Sequence, residues 1–178
     1  RSNFAVAMKD LLSNVLDDIL ANVPKEKIDE RVSLFKRNMH NLSYEVMANP
    51  IGVKGIGKYE VEDEETSFSK YKKGAPVHVK AAINYNSLID HWYEGKRYEK
   101  ITNGSKIKWV YLKENTFGFD AIAFKGHEDP KEILELIKNH IDHNKMYEQA
   151  MSKKLGMFYK AMHWGGVEDK TTSMNRFF

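Results

Sequence analysis

PVHVKAAINY, Pro76 to Tyr85, is the stretch whose reading decides the fold class. Val77, Val79, Ala81, Ile83 and Tyr85 alternate with His78, Lys80, Ala82 and Asn84. That period of two predicts a strand with one apolar face and one polar, partly basic face. Downstream, Lys106 to Leu112 alternates again, with Ile107, Trp109 and Tyr111 on one side, and Ala121 to Phe124 is a short apolar run between Gly118 and Gly126. The three together predict a small antiparallel sheet.

Helical periodicity surrounds this sheet. Met8, Leu11, Leu12, Val15, Leu16, Ile19 and Leu20 recur at steps of three and four, which predicts a helix from about Phe4 to Ala21. Pro24 suits a helix start, and Ile28, Val32, Phe35 and Met39 continue a second amphipathic helix that pairs with the first as a hairpin. Asp129-Pro130 reads as N-cap and first helical position. From there Ile133, Leu134, Ile137 and Ile141, then Tyr147, Met151, Leu155, Phe158 and Met162, predict a long helix or a kinked pair, ended by Gly165-Gly166. NPIGVKGIG, Asn49 to Gly57, holds three glycines and a proline and reads as a loop. A second loop is marked by the charge reversal from Glu62-Asp63-Glu64-Glu65 to Lys70-Tyr71-Lys72-Lys73. The fold class expected is α+β, mostly helical with a small antiparallel sheet.

Composition narrows the chemistry. The 178 residues are 42% hydrophobic and 12% aromatic, enough to bury a core. No cysteine is present, which removes disulfides, thiolate metal sites and cysteine nucleophiles. No apolar run approaches the ~18 residues that span a bilayer, and Arg1 to Asp10 lacks the regions of a signal peptide, so no membrane partner is expected and a soluble intracellular protein is. A first residue of Arg suggests a processed product, a trimmed chain or a piece of a longer one, and a piece is the expectation.

No self-contained active site is legible. The glycine loop is neither GxGxxG nor GxxxxGK followed by Ser or Thr, no serine sits in a GxSxG elbow, and Asp17-Asp18 and Glu64-Glu65 read as solvated pairs. His140 and His143 lie three apart without an HExxH pattern, so no metal site is expected, and a small metal-dependent hydrolase built on them is set aside. Catalytic residues are expected to be none.

Basic and polar groups are the candidates that remain. The 28 basic against 25 acidic residues leave only +3, so distribution has to decide. Lys54 and Lys58 flank loop glycines, Lys72 and Lys73 precede the predicted strand, His78, Lys80 and Asn84 line its polar face, and Lys145, Lys153 and Lys154 fall on the late helices. Singly each is an ordinary solubilising residue; together they describe a surface that tracks phosphates without reading sequence. VEDKTTSMNRFF, Val167 to Phe178, is polar until it ends in two phenylalanines that want a partner.

GVKGIGKYE (Gly52 to Glu60), YKKGAPVHVKAAINYN (Tyr71 to Asn86), KIKWVYLKENTFGFDAIAF (Lys106 to Phe124), DPKEILELIKNHIDHNKMYEQAMSKKLGMFYKAMHW (Asp129 to Trp164) and the terminal SMNRFF, in that order, resemble the carboxy-terminal thumb of family B DNA polymerases of T-even-type bacteriophages and their marine relatives. RSNF at the start resembles that family's junction from palm to thumb. The resemblance implies a thumb domain over residues 1–166 and a flexible sliding-clamp-binding tail over 167–178. Lys54, Lys58, His78, Lys80, Asn84 and Lys153 match the family's duplex-facing positions, and Ser173, Met174, Phe177 and Phe178, with Asn175 and Arg176 between them, match its clamp-binding peptide. Two departures are a Lys at position 80, where the family often has Arg, and a tail that carries Arg176 and stops at Phe-Phe.

The implied partners are a primer–template duplex, the remaining polymerase chain with its palm, fingers and exonuclease, and a sliding clamp. No cofactor is expected in this chain, the Mg2+ of the reaction belonging to the palm of the complete polymerase. The implied setting is the cytoplasm of a phage-infected bacterium. The alternative is a free-standing phage nucleic-acid-binding adaptor without polymerase activity.

Overall fold

The computed structural model describes residues 3–66, 68–94 and 96–170. The chain runs α1 (Val6–Leu20), α2 (Lys25–Asn38), a 3-10 turn (Met39–Asn41), α3 (Tyr44–Met47), β1 (Asn49–Gly52), α4 (Ile56–Tyr59), β2 (Glu60–Val61), β3 (Lys70–Tyr71), α5 (Val77–Tyr93), β4 (Lys106–Tyr111), β5 (Ala121–Phe124), α6 (Lys131–His140) and α7 (His143–Ala161). The fold is α+β, mostly helical with small antiparallel sheets.

The main sheet has the order β1-β4-β5, with Ile51 opposite Ile107 and Trp109 opposite Ala123; β2 pairs separately with β3. Its third strand is therefore not Val77 to Tyr85. That stretch is the first half of α5, and the strand partner of β4 comes from Asn49–Gly52, inside the segment expected to be a loop. The alternation misled because α5 is enclosed: every residue from Ala81 to Ile89 is buried, so no solvent face imposes the helical period. Its polar positions are buried because each bonds a segment outside the helix. Asn86 both donates to the Ile101 carbonyl (2.9 Å) and accepts from the Ile101 N–H (2.7 Å), and Ser87 Oγ accepts from the Ser69 N–H (3.1 Å).

Other boundaries shift for local reasons. Pro130, not Asp129, is the N-cap of α6. The Asp129 carboxylate instead accepts from the N–H groups of Lys125 (2.9 Å) and Gly126 (2.8 Å) and from the Tyr85 hydroxyl (2.8 Å), closing the turn after β5. The late helices are a kinked pair, and α7 stops at Ala161, where His163 at φ 58 turns the chain before the glycines are reached. On α1, Met8, Leu11 and Val15 are buried while Leu16 and Leu20 of the expected apolar face are exposed. Among the described residues no helix is long and apolar enough to cross a membrane.

Candidate nucleic-acid interface

The loop that carries Lys54 and leads into α4, where Lys58 sits, is laced to a neighbouring turn. Val53 N–H donates to Ser105 O (3.0 Å), Gly104 N–H to Val53 O (2.8 Å) and Ile56 N–H to Asn103 Oδ1 (3.1 Å). Gly55 sits at φ +90, a backbone conformation that costs a non-glycine residue strain, so the turn into α4 needs glycine there. Lys54 on this braced loop and Lys58 on α4 are both exposed, and the Lys58 ammonium lies 5.1 Å from the Tyr59 ring centroid.

Tyr59 O accepts from the Lys72 N–H (2.8 Å), which brings the Lys72-Lys73 turn beside α4. Gly74, at φ +87, then turns the chain into Pro76, the N-cap of α5. Pro76 O accepts from Val79 and Lys80, so the N–H groups of Val77 and His78 precede the first helical bonds and the positive end of the α5 dipole falls among the lysines. Lys80 is half-buried, its ammonium 5.7 Å from the Tyr71 ring centroid. Burial holds His78 below the usual imidazole range, so it is neutral at pH 7.

The helical geometry breaks up the face expected of His78, Lys80 and Asn84. Lys80 and Asn84 are one turn apart, while His78 points about 200° away from Lys80 at 100° per residue. Asn84 is buried; it accepts from the Tyr71 hydroxyl and donates to the Ala121 carbonyl (2.8 Å). It is a bolt between β3, α5 and β5, with no free group for a phosphate. Sequence alone had no sign of this, because an Asn at an alternating position reads as solvent-facing.

Lys145, Lys153 and Lys154 form a second group on α7. The Lys145 ammonium sits 4.7 Å from the Tyr111 ring centroid and that of Lys154 5.1 Å from Phe4. Tyr111 lies at the far end of β4 from Lys106, which pairs with Gly52 beside the Lys54 loop. Five strand steps separate the two ends, roughly 17 Å. The contacts between the groups run through the interior: Lys80 over Tyr71, Tyr71 to Asn84, Asn84 to Ala121, and Ala121 opposite Tyr111 beside Lys145, so they brace the two groups without joining them at the surface.

Charge pairing separates these lysines from others. Among the described residues none of Lys54, Lys58, Lys72, Lys73, Lys80, Lys145, Lys153 and Lys154 forms an ion pair, whereas Lys25, Lys70, Lys100, Arg31 and Arg37 do. The acidic turn after β2 borders the first group, and its Asp63 is engaged by Lys70 (2.9 Å) and the Thr66 hydroxyl (2.6 Å). The aromatic supports, Tyr59, Tyr71 and Tyr111, were missed in the sequence; their signal is Tyr beside Lys in GKYE and KYKK.

His140 ends α6 and His143 opens α7, where its ring lies tilted against that of His40 at 5.0 Å between centroids. The clamp-binding positions Ser173, Met174, Asn175, Arg176, Phe177 and Phe178 lie outside the described residues. The chain is still attached to α2 beyond Gly166, the expected end of the thumb. Lys25 Nζ donates to Gly166 O (3.0 Å), and Arg37 pairs with Asp169 (3.3 Å). Compared with known protein families the chain matches none, and no curated protein matches it either.

Proposed function

We propose that this chain is the thumb part of a DNA-directed DNA polymerase, which holds the primer–template duplex by its phosphates and tethers the enzyme to a sliding clamp. The observation that carries the reading is the arc of unpaired lysines around the start of α5, held on tyrosine rings and a braced glycine loop. Ammonium groups without carboxylate partners meet phosphates at no cost of breaking ion pairs, and resting Lys58 and Lys80 on rings limits the freedom these two lose on binding. Lysines and backbone N–H groups read no base edges, which suits a part that must hold any sequence. The ordered likeness of five separated stretches to the thumb of T-even-type phage polymerases supplies the polymerase context.

In this reading the chain contributes alignment and processivity. On this reading the Mg2+ ions of nucleotidyl transfer belong to the palm of the complete polymerase, and this chain assists by holding the duplex in line.

The deciding experiment mixes the full chain with a palm-containing polymerase chain and measures primer extension at rising salt. Restored synthesis supports the proposal. Duplex binding that never supports synthesis would favour the free-standing adaptor.

A further inference from the structure

A cleft of about 380 Å3 opens between the 3-10 turn, the start of α3, the end of α6 and the start of α7. His40, Ser43, Tyr44, Glu45, Lys138 and His143 line it. It belongs neither to the lysine arc nor to any pattern the sequence offered. Its volume is at the small end of ligand pockets, enough for a compact polar group.

Hydrogen-bond donors gather around it: the His40 and His143 imidazoles, the Lys138 ammonium and the Ser43 hydroxyl, with the Glu45 carboxylate at the edge. The His40 and His143 ring centroids lie 5.0 Å apart with their planes tilted by 55°, and Lys113 bears on His143 from the end of β4, where its N–H donates to His140 O (2.7 Å). Among the described residues none of His40, His143, Lys113 and Lys138 is in an ion pair. The carboxylates near the cleft have partners of their own, although Glu45 lines it and Asp142 pulls His143 towards its cationic form. Asp142 caps α7 by accepting from Lys145 N–H (3.0 Å), Glu45 lies against the Tyr44 hydroxyl and raises it after burial does, and Asp129, also near Tyr44, is held by the turn after β5.

We infer that this cleft binds a tetrahedral oxyanion, a phosphoryl group above all, between His40, His143 and Lys138. An oxyanion would meet the Lys138 ammonium and, on taking up a proton, the imidazoles beside it, and the Ser43 hydroxyl adds a donor on the rim. Burial first, then His40 and Lys113, hold His143 below the usual imidazole range, so an anion has to bring a proton with it or be met by neutral rings. Affinity therefore rises as pH falls. The site does not depend on the duplex reading.

The test uses the full chain and sulfate, which keeps its charge across the range, titrated calorimetrically at pH 6 and pH 8. Binding about tenfold tighter at pH 6, with the ring proton signals of His40 and His143 shifted to higher pKa by sulfate, is the expected result. His40→Gln and Lys138→Ala, both at exposed positions, should abolish binding without unfolding the chain, while Lys58→Ala leaves it unchanged. Sulfate affinity equal at the two pH values, silent histidine rings, or loss of binding in Lys58→Ala instead would overturn the assignment. Competition then distinguishes the source. A 5′-phosphorylated oligonucleotide that displaces sulfate better than its unphosphorylated twin and than inorganic phosphate identifies a nucleic-acid end; displacement by inorganic phosphate alone identifies a small free phosphate.

Discussion

Tyr159 donates a 2.6 Å hydrogen bond to the carboxylate of Asp29, 130 residues earlier in the chain. Lys25 reaches the other oxygen of Asp29 at 2.6 Å and also donates to the Gly166 carbonyl at 3.0 Å. One buried carboxylate thus fastens α7 to α2 and directs the chain beyond α7 back along α2. Burial and then the Asp29 carboxylate push the Tyr159 hydroxyl far above the usual phenol range, so it remains a donor at any working pH.

Tyr159→Phe should accordingly destabilise the fold by about 1–3 kcal/mol, since it leaves half of a buried carboxylate unpartnered. Urea unfolding should show a lower midpoint at an unchanged slope. Salt-dependent duplex binding should not move. A midpoint equal to that of the wild type would mean that Asp29 is adequately held by Lys25.

Asn84→Ala distinguishes a bolt from a DNA contact. Removing the amide leaves the Tyr71 hydroxyl and the Ala121 carbonyl without their partner, and the expected loss is again about 1–3 kcal/mol. Duplex affinity, measured well below the melting temperature, should be unchanged. Weakened binding by a variant of wild-type stability would return Asn84 to the interface.

The contrast between Asn84 and Lys54 shows how far the sequence can be read. Helices with one wet face, such as α2 with Ile28 and Val32 buried, declare their period, and so does β4. α5 does not, because residues on all its sides are buried and the polar ones answer to segments far away in sequence. Its helical character lay in other features: no glycine or proline from Val77 to Glu94, paired alanines at Ala81-Ala82, and asparagines that strands disfavour. Lys54 and Lys58 were legible because glycines exposed their loop, while the placement of Lys72 beside them rests on a backbone bond from Lys72 to Tyr59 that no local pattern announces.

The lysine arc predicts the salt dependence of duplex binding. Each phosphate contact contributes roughly 0.9 to the slope of log K against log salt, so Lys54, Lys58, Lys72 and Lys80 all replaced by Ala should flatten it by about 3–4 units. Lys153→Ala alone should remove at most about one. His78→Ala should have less effect than Lys80→Ala at pH 7, because burial keeps its imidazole neutral. An unchanged slope in the fourfold variant would exclude the arc from the interface.

Stability should fall in mild acid. His78 and His143 both sit below the usual imidazole value of 6.5 in the folded chain, His143 through burial, His40 and Lys113. The unfolded chain therefore binds more protons near and below that pH, so their contribution is complete above about 6.5 and declines as pH falls through the folded values. Thermal melts from pH 8 to pH 5 should show a falling melting temperature, less steep in His78→Gln. A melting temperature that is flat over this range would contradict the burial of both rings.

The proposed clamp tether yields the last prediction. Asp169 is held to Arg37 near the end of α2, so the tether to Ser173 is four residues, no more than about 14 Å of extended chain. A short tether raises the local concentration of a weak peptide towards millimolar once enzyme and clamp share one DNA, which makes a contact of about micromolar affinity effective. Deleting Ser173 to Phe178 should leave the melting temperature and the salt slope of duplex binding unchanged while clamp-stimulated synthesis of long products collapses. A tail-deleted chain that melts several degrees lower, with clamp stimulation intact, would assign Phe177 and Phe178 to the domain itself and end the tether reading.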